Sequence, residues 1–163
     1  MTVLVSDTSV IIDLERGELL ESVFQLTVDF AVPDLLFHRE LAGPLGDRLL
    51  ALGLRVEELS PGEVQGATVL RRADASLSLP DTFAFALAQG RQWTLLTGDA
   101  GLRRTAEAHA LDVHGTLWVL DQLEAQGACN LEALAAGLAK ASGHPRCRLP
   151  RAEVNARLAR YRR

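Results

Sequence analysis

Five short runs with the form of strands, separated by stretches whose apolar residues return at helical spacing, fill the first 114 residues, and this alternation constrains the fold more than any other feature. The runs are Thr2 to Ser6, Val28 to Val32, Leu54 to Leu59, Trp93 to Thr97 and Asp112 to His114. Strands joined through helices lie parallel, because only a long crossover returns the chain to the same end of a sheet. The opening "MTVLVSDTSVII" is apolar on consecutive residues, the form of a strand buried on both faces. With 48% hydrophobic residues, a chain of 163 residues suffices for one well-packed core and is too short for two.

The connections read as follows. Helical spacing runs from Asp7 to about Leu26 with an interruption at Gly17, and Pro33 opens a helix to about Leu41 that Gly43 and Pro44 end. Asp47 to Leu52 is helical, and Ser60 with Glu63 forms a capping box for a helix to about Arg72. Further helices are expected from Pro80 to Gln89, closed by Gly90, and from Gly101 to Ala110. Beyond Gly115 only helical patterns remain. Leu131, Leu134 and Leu138 share one face behind an Asn130 cap, and Val154, Leu158 and Tyr161 share another. The expected organisation is an α/β domain over residues 1–120, mainly parallel, and a helical extension over 121–163 packed on it.

Several chemistries are excluded by the letters. Cys129 and Cys147 have no C-x-x-C spacing, and His38, His109, His114 and His144 do not cluster, which argues against a thiolate zinc site or a disulfide framework. No P-loop, dinucleotide fingerprint or nucleophile elbow is present. The sole lysine, Lys140, lies far from the strands, against the lysine-dependent phosphate enzymes that begin with an aspartate strand end. No apolar run approaches eighteen residues, so no membrane span is expected. The apolar start lacks a basic leader and reads as a strand rather than a signal peptide, which makes the cytoplasm the expected compartment.

Charge is divided unevenly. Residues 1–139 carry nine Lys and Arg against twenty Asp and Glu, whereas residues 140–163 carry eight against one. A basic tail on an acidic body suits a polyanion or an acidic partner, and equally a solvated terminal helix.

Three aspartates converge by topology. Asp7 follows the first strand and Asp99 the fourth, which puts both at the carboxyl edge where open parallel sheets bind ligands. Asp81 opens a helix that must run antiparallel to the strand after it, so the helix start returns to that edge. Glu40 leaves the same edge on the helix after the second strand, roughly 10 Å along its axis, and is the outlying member. Each acid alone has a local explanation: Asp7 as an N-cap, Asp81 against a helix dipole, Asp99 in an Asx turn, Glu40 facing solvent. Together, packed carboxylates repel unless a cation neutralises them, and an oxygen-only set suits magnesium or manganese. Thr97 and Ser9 are the candidate supporting hydroxyls, with local capping or turn bonding as the alternative.

The motifs "VSDTSVIIDL", "VPDLLFHREL", "LSLPDTFAFALAQG" and "WTLLTGDAGL", in this order, resemble the PIN-domain family over roughly residues 1–120. The resemblance implies a three-layer α/β/α fold with a central mainly parallel sheet. It further implies a magnesium- or manganese-dependent ribonuclease that leaves a 5′ phosphate and a 3′ hydroxyl. Asp7, Glu40, Asp81 and Asp99 would then hold the metal and activate water, with Thr97 and Ser9 in support. Many relatives of this kind are VapC-type toxins, which implies an RNA substrate, an antitoxin partner and a homodimer. This chain departs from the pattern after Asp99, where "AGLRR" follows, and in its longer C-terminal helices. The competing readings are a catalytically silent RNA- or protein-binding module and a metal-dependent phosphatase or DNA nuclease. Arg71, Arg72, Arg103, Arg104 and the tail arginines are candidate phosphate contacts whose distance from the acids is not readable from the letters.

Overall fold

In the computed structural model, which describes residues 2–163, the five runs form one fully parallel sheet in the order β3-β2-β1-β4-β5. The strands are β1 (Val3–Ser6), β2 (Asp29–Pro33), β3 (Arg55–Glu57), β4 (Thr94–Leu96) and β5 (Val113–His114). Each residue of β1 is buried, as its unbroken apolar run requires of a central strand covered on both faces. From β1 to β3 the chain moves across the sheet one way, then returns to place β4 on the far side of β1. Right-handed crossovers therefore put the helices on opposite faces, and the order reverses between β1 and β4.

Among the described residues ten α-helices surround the sheet: α1 (Thr8–Arg16), α2 (Leu20–Val23), α3 (Asp34–Leu36), α4 (Pro44–Leu52), α5 (Pro61–Ala73), α6 (Leu79–Arg91), α7 (Ala100–Ala108), α8 (Thr116–Gln126), α9 (Leu131–Ser142) and α10 (Arg151–Tyr161). Helix α6 packs against β1, β2 and β4, with α5 and α7 beside it. Helices α1, α8 and α9 pack together on the other face, and α10 packs on α9. Leu134 and Leu138 of α9, with Val154 and Tyr161 of α10, belong to the same continuous core as the strands. The C-terminal helices thus complete the body rather than trail from it.

Four local expectations need correction. Pro33 ends β2 and caps α3 in extended conformation instead of opening the helix, because its ring accepts either role at φ −63°. The expected helix to Leu41 is α for only one turn and then widens into a π-helical turn, Phe37–Leu41, closed by the Ala42 amide donating to the Phe37 carbonyl at 2.9 Å. Pro44 begins α4 at its first turn and does not end the preceding helix. Gly90 lies inside α6, which stops at Gln92 in the left-handed region at φ 56°. Gly90 is required for contact, since a Cβ there would meet the Glu63 carboxylate at 2.7 Å. The Ser60–Glu63 capping box forms as read, with both reciprocal hydrogen bonds.

Candidate functional site

The reversal of strand order leaves a crevice outside the carboxyl ends of β1 and β4, the place where open α/β sheets bind ligands. A cleft of about 1020 Å³ opens there, and Asp7, Glu40, Asp81 and Asp99 all line it. Four separate stretches of chain deliver them, each by a different local device.

Asp7 is the first residue after β1, and its amide continues the ladder to the Leu96 carbonyl at 2.9 Å. It is 2% exposed, and its carboxylate caps α1 by accepting from the Val10 amide at 3.0 Å. The Ser9 hydroxyl donates to both carboxylate oxygens at 2.8 and 2.9 Å, Thr97 donates at 2.6 Å and the Gly98 amide at 3.2 Å. Gly98 has no side chain for good reason: a Cβ there would sit 2.8 Å from the Ser9 hydroxyl. Burial raises the Asp7 pKa, and these hydrogen bonds act in the opposite direction. Ser9 and Thr97, singled out from the letters, therefore both bear on the most buried acid.

Thr97 also links Asp7 to Asp99, because its hydroxyl accepts from the Asp99 amide at 3.0 Å. Asp99 then caps α7 by accepting from Leu102 at 2.7 Å, a helix cap where an Asx turn is expected from sequence. Asp81 occupies the first turn of α6, whose cap Ser78 accepts from the Asp81 amide at 3.2 Å. Its pKa is raised to about 6, first by burial and then by the Asp7 charge, with smaller repulsion from Asp99 and Glu40; the Ser78 hydroxyl opposes the shift. Glu40 sits in the π-helical turn and is the exposed member of the set. Local capping and convergence are thus both true of Asp7 and Asp99.

The four carboxylates share one cleft and one electrostatic field, but among the described residues no three His, Cys, Asp or Glu side chains gather tightly enough to form a coordination group as they stand. Like charges facing each other across a cleft hold apart, and Asp7 and Asp99 are each anchored to a helix start. The donor set is oxygen only and carries an unneutralised repulsion centred on Asp81, which suits a hard divalent cation.

Further residues that line the cleft were not singled out from sequence as site residues. Asp13 accepts from the Thr116 hydroxyl at 2.9 Å, and burial raises its pKa, with the Asp7 charge adding to the shift. Helical spacing could have found it, since Ser9, Asp13 and Arg16 fall at i, i+4 and i+7 on α1 and all line the cleft. His114 and Trp118 contribute a stacked ring pair. Of the candidate phosphate contacts, Arg103 and the tail residues Arg146, Arg148 and Arg157 line the cleft, whereas Arg71, Arg72 and Arg104 do not. Arg146 and Arg148 stand in a non-repetitive turn, where no periodicity could have placed them.

A parallel sheet with this strand order, layered between helices and carrying acids at its switch point, is a doubly wound α/β/α fold with its candidate site at the carboxyl edge. The family model DUF3368, described as a PIN domain, matches residues 3–162, and the chain belongs to the PIN-domain family. That match runs through the helices that follow residue 120. No curated protein matches the chain. No helix among the described residues is long and apolar enough to cross a membrane.

Proposed function

We propose that this protein is a metal-dependent endoribonuclease that hydrolyses RNA phosphodiester bonds at the carboxylate cleft. The observation that carries the reading is the meeting of Asp7, Glu40, Asp81 and Asp99, from four stretches of chain, in one cleft of a PIN-family fold. These residues would hold magnesium or manganese, and when bound such an ion supplies Lewis acidity toward the phosphodiester. The chain supplies the rest. Ser9 and Thr97 fix the orientation of Asp7, and the positive ends of α1, α6 and α7 soften the cost of gathering acids at their first turns. Arginines on the cleft walls provide attraction for a polyanion that the acidic body would otherwise repel.

The test is cleavage of a panel of labelled RNA and DNA by the purified protein with manganese, magnesium or EDTA, beside Asp99→Asn. Asparagine caps a helix about as well as aspartate, so this variant removes the charge and keeps the α7 start. Cleavage of RNA alone, lost in EDTA and in the variant, is the expected result. RNA that is bound but never cut by folded protein would replace the reading with a binding module, and cutting of DNA alone or release of phosphate alone would replace it with a different hydrolase.

A further inference from the structure

Beside the carboxylates, the cleft has a second feature of different chemistry. The His114 and Trp118 rings stack with centroids 4.1 Å apart and planes 11° from parallel, and both line the cleft. The stack is anchored from behind. His114 Nε2 lies 3.0 Å from an Asp112 carboxylate oxygen, and the Thr94 hydroxyl donates to the other oxygen of Asp112 at 2.8 Å. The Thr97 amide donates to the His114 carbonyl at 2.9 Å, so the ring pair starts one strand spacing, about 4.8 Å, from the strand end that carries Thr97.

Five arginines line the same cleft: Arg16 at the end of α1, Arg103, Arg146, Arg148 and Arg157. Among the described residues Arg103, Arg146 and Arg148 make no ion pair, although the body around them is strongly acidic. By contrast Arg157, also at the cleft, is held by Asp121 in two hydrogen bonds at 2.9 and 2.7 Å. Unpaired guanidiniums and an anchored aromatic surface, side by side, match the two halves of a nucleotide: phosphate and base.

We propose that the His114–Trp118 stack is a base-binding platform for single-stranded RNA, with Arg103, Arg146 and Arg148 holding the adjoining phosphates. The inference rests on the ribonuclease reading for the identity of the polyanion. A base reaches a protein ring only when it is unpaired, so the platform selects single strands over duplexes. The phosphate contacts from Arg146 and Arg148 come from the turn between α9 and α10, which makes the C-terminal extension one wall of the substrate channel.

The experiment is binding of a labelled single-stranded RNA in EDTA at low salt, followed by fluorescence anisotropy, with a matched oligonucleotide made abasic at successive positions and a duplex of the same sequence. Wild-type protein is expected to bind the intact strand about tenfold more tightly than the strand lacking the stacked base. Trp118→Ala is expected to bind both equally, and Trp118→Phe to keep most of the preference. Arg146→Ala combined with Arg148→Ala should retain the base preference and flatten the salt dependence by roughly 0.7 in log–log slope for each phosphate that the variant no longer neutralises. Equal wild-type affinity for intact and abasic strands, duplex bound as well as single strand, or no binding overturns the platform. The abasic comparison uses wild-type protein, so it decides the matter even if a Trp118 variant fails to fold. Metal-dependent cleavage by wild-type protein without base preference would remove the platform and leave the nuclease standing; base preference without cleavage would do the reverse.

Discussion

At Asp81 the geometry and the acid chemistry can be separated by one substitution. Its carboxyl is held near pKa 6 rather than 3.8, so in the metal-free protein its ionisation opposes folding. A folded-state pKa above the unfolded value means that the native state binds more protons between about pH 4 and about pH 6, and stability falls as pH rises through that window. Asp81→Asn is therefore expected to stabilise the metal-free protein at pH 7 by about 1 kcal/mol. That is less than the full shift implies, because solvent screens the group and the α6 start favours a negative charge there. Denaturant unfolding of both proteins in EDTA checks this: the gap should close toward pH 4, and a gap that stays constant across the range would show that the charge is not its source. The same substitution is expected to abolish RNA cleavage, the usual opposition between a stable site and a working one. Asp7, Asp81 and Asp99 were legible in the sequence because strand ends and helix starts are. Glu40 was legible only as a residue on a helix, since nothing in "LLFHREL" announces the wider turn that carries it.

Between elements, a close backbone approach joins the end of α1 to α9. A Cβ on Gly17 would lie 2.9 Å from the Gly137 carbonyl oxygen, and one on Gly137 would lie 2.8 Å from the Gly17 carbonyl oxygen. Neither contact can be relieved by turning a side chain, so Gly17→Ala and Gly137→Ala are each expected to destabilise the protein by about 1–3 kcal/mol, measured by thermal or denaturant unfolding. If either alanine proves neutral, α9 is not held where the structure has it. The sequence showed Gly17 as a break in periodicity and gave no sign of its partner Gly137, because a contact across 120 positions leaves no trace in local pattern. The strands were legible for the opposite reason: each is a short local segment set between helical patterns, and β1, β2 and β4 are mainly apolar besides. Pro33, Pro44 and Gly90 were misread because proline and glycine punctuate in more than one way, and tertiary contacts choose among them.

Taken whole, the molecule buries its C-terminal helices in the same core as its sheet. A chain ended at Leu120 would lose Leu134, Leu138, Val154 and Tyr161 from that core, together with the Arg157 and Arg160 pairs to Asp121 and Glu124. Such a fragment is expected to lack a cooperative thermal transition, checked by calorimetry; a sharp transition near that of the full chain would mean that the first 120 residues fold unaided. The chain has two tryptophans, and they stand at opposite edges of the sheet. Trp93 precedes β4 at the amino edge, with the Arg55 and Arg91 guanidiniums each 5.1 Å from its ring, while Trp118 stands in the cleft past the carboxyl edge. The fold has thereby built an optical pair. Light emitted by one indole reports on an arginine-clad corner outside the cleft, and light from the other reports on the cleft itself, so the two regions can be followed separately without a dye.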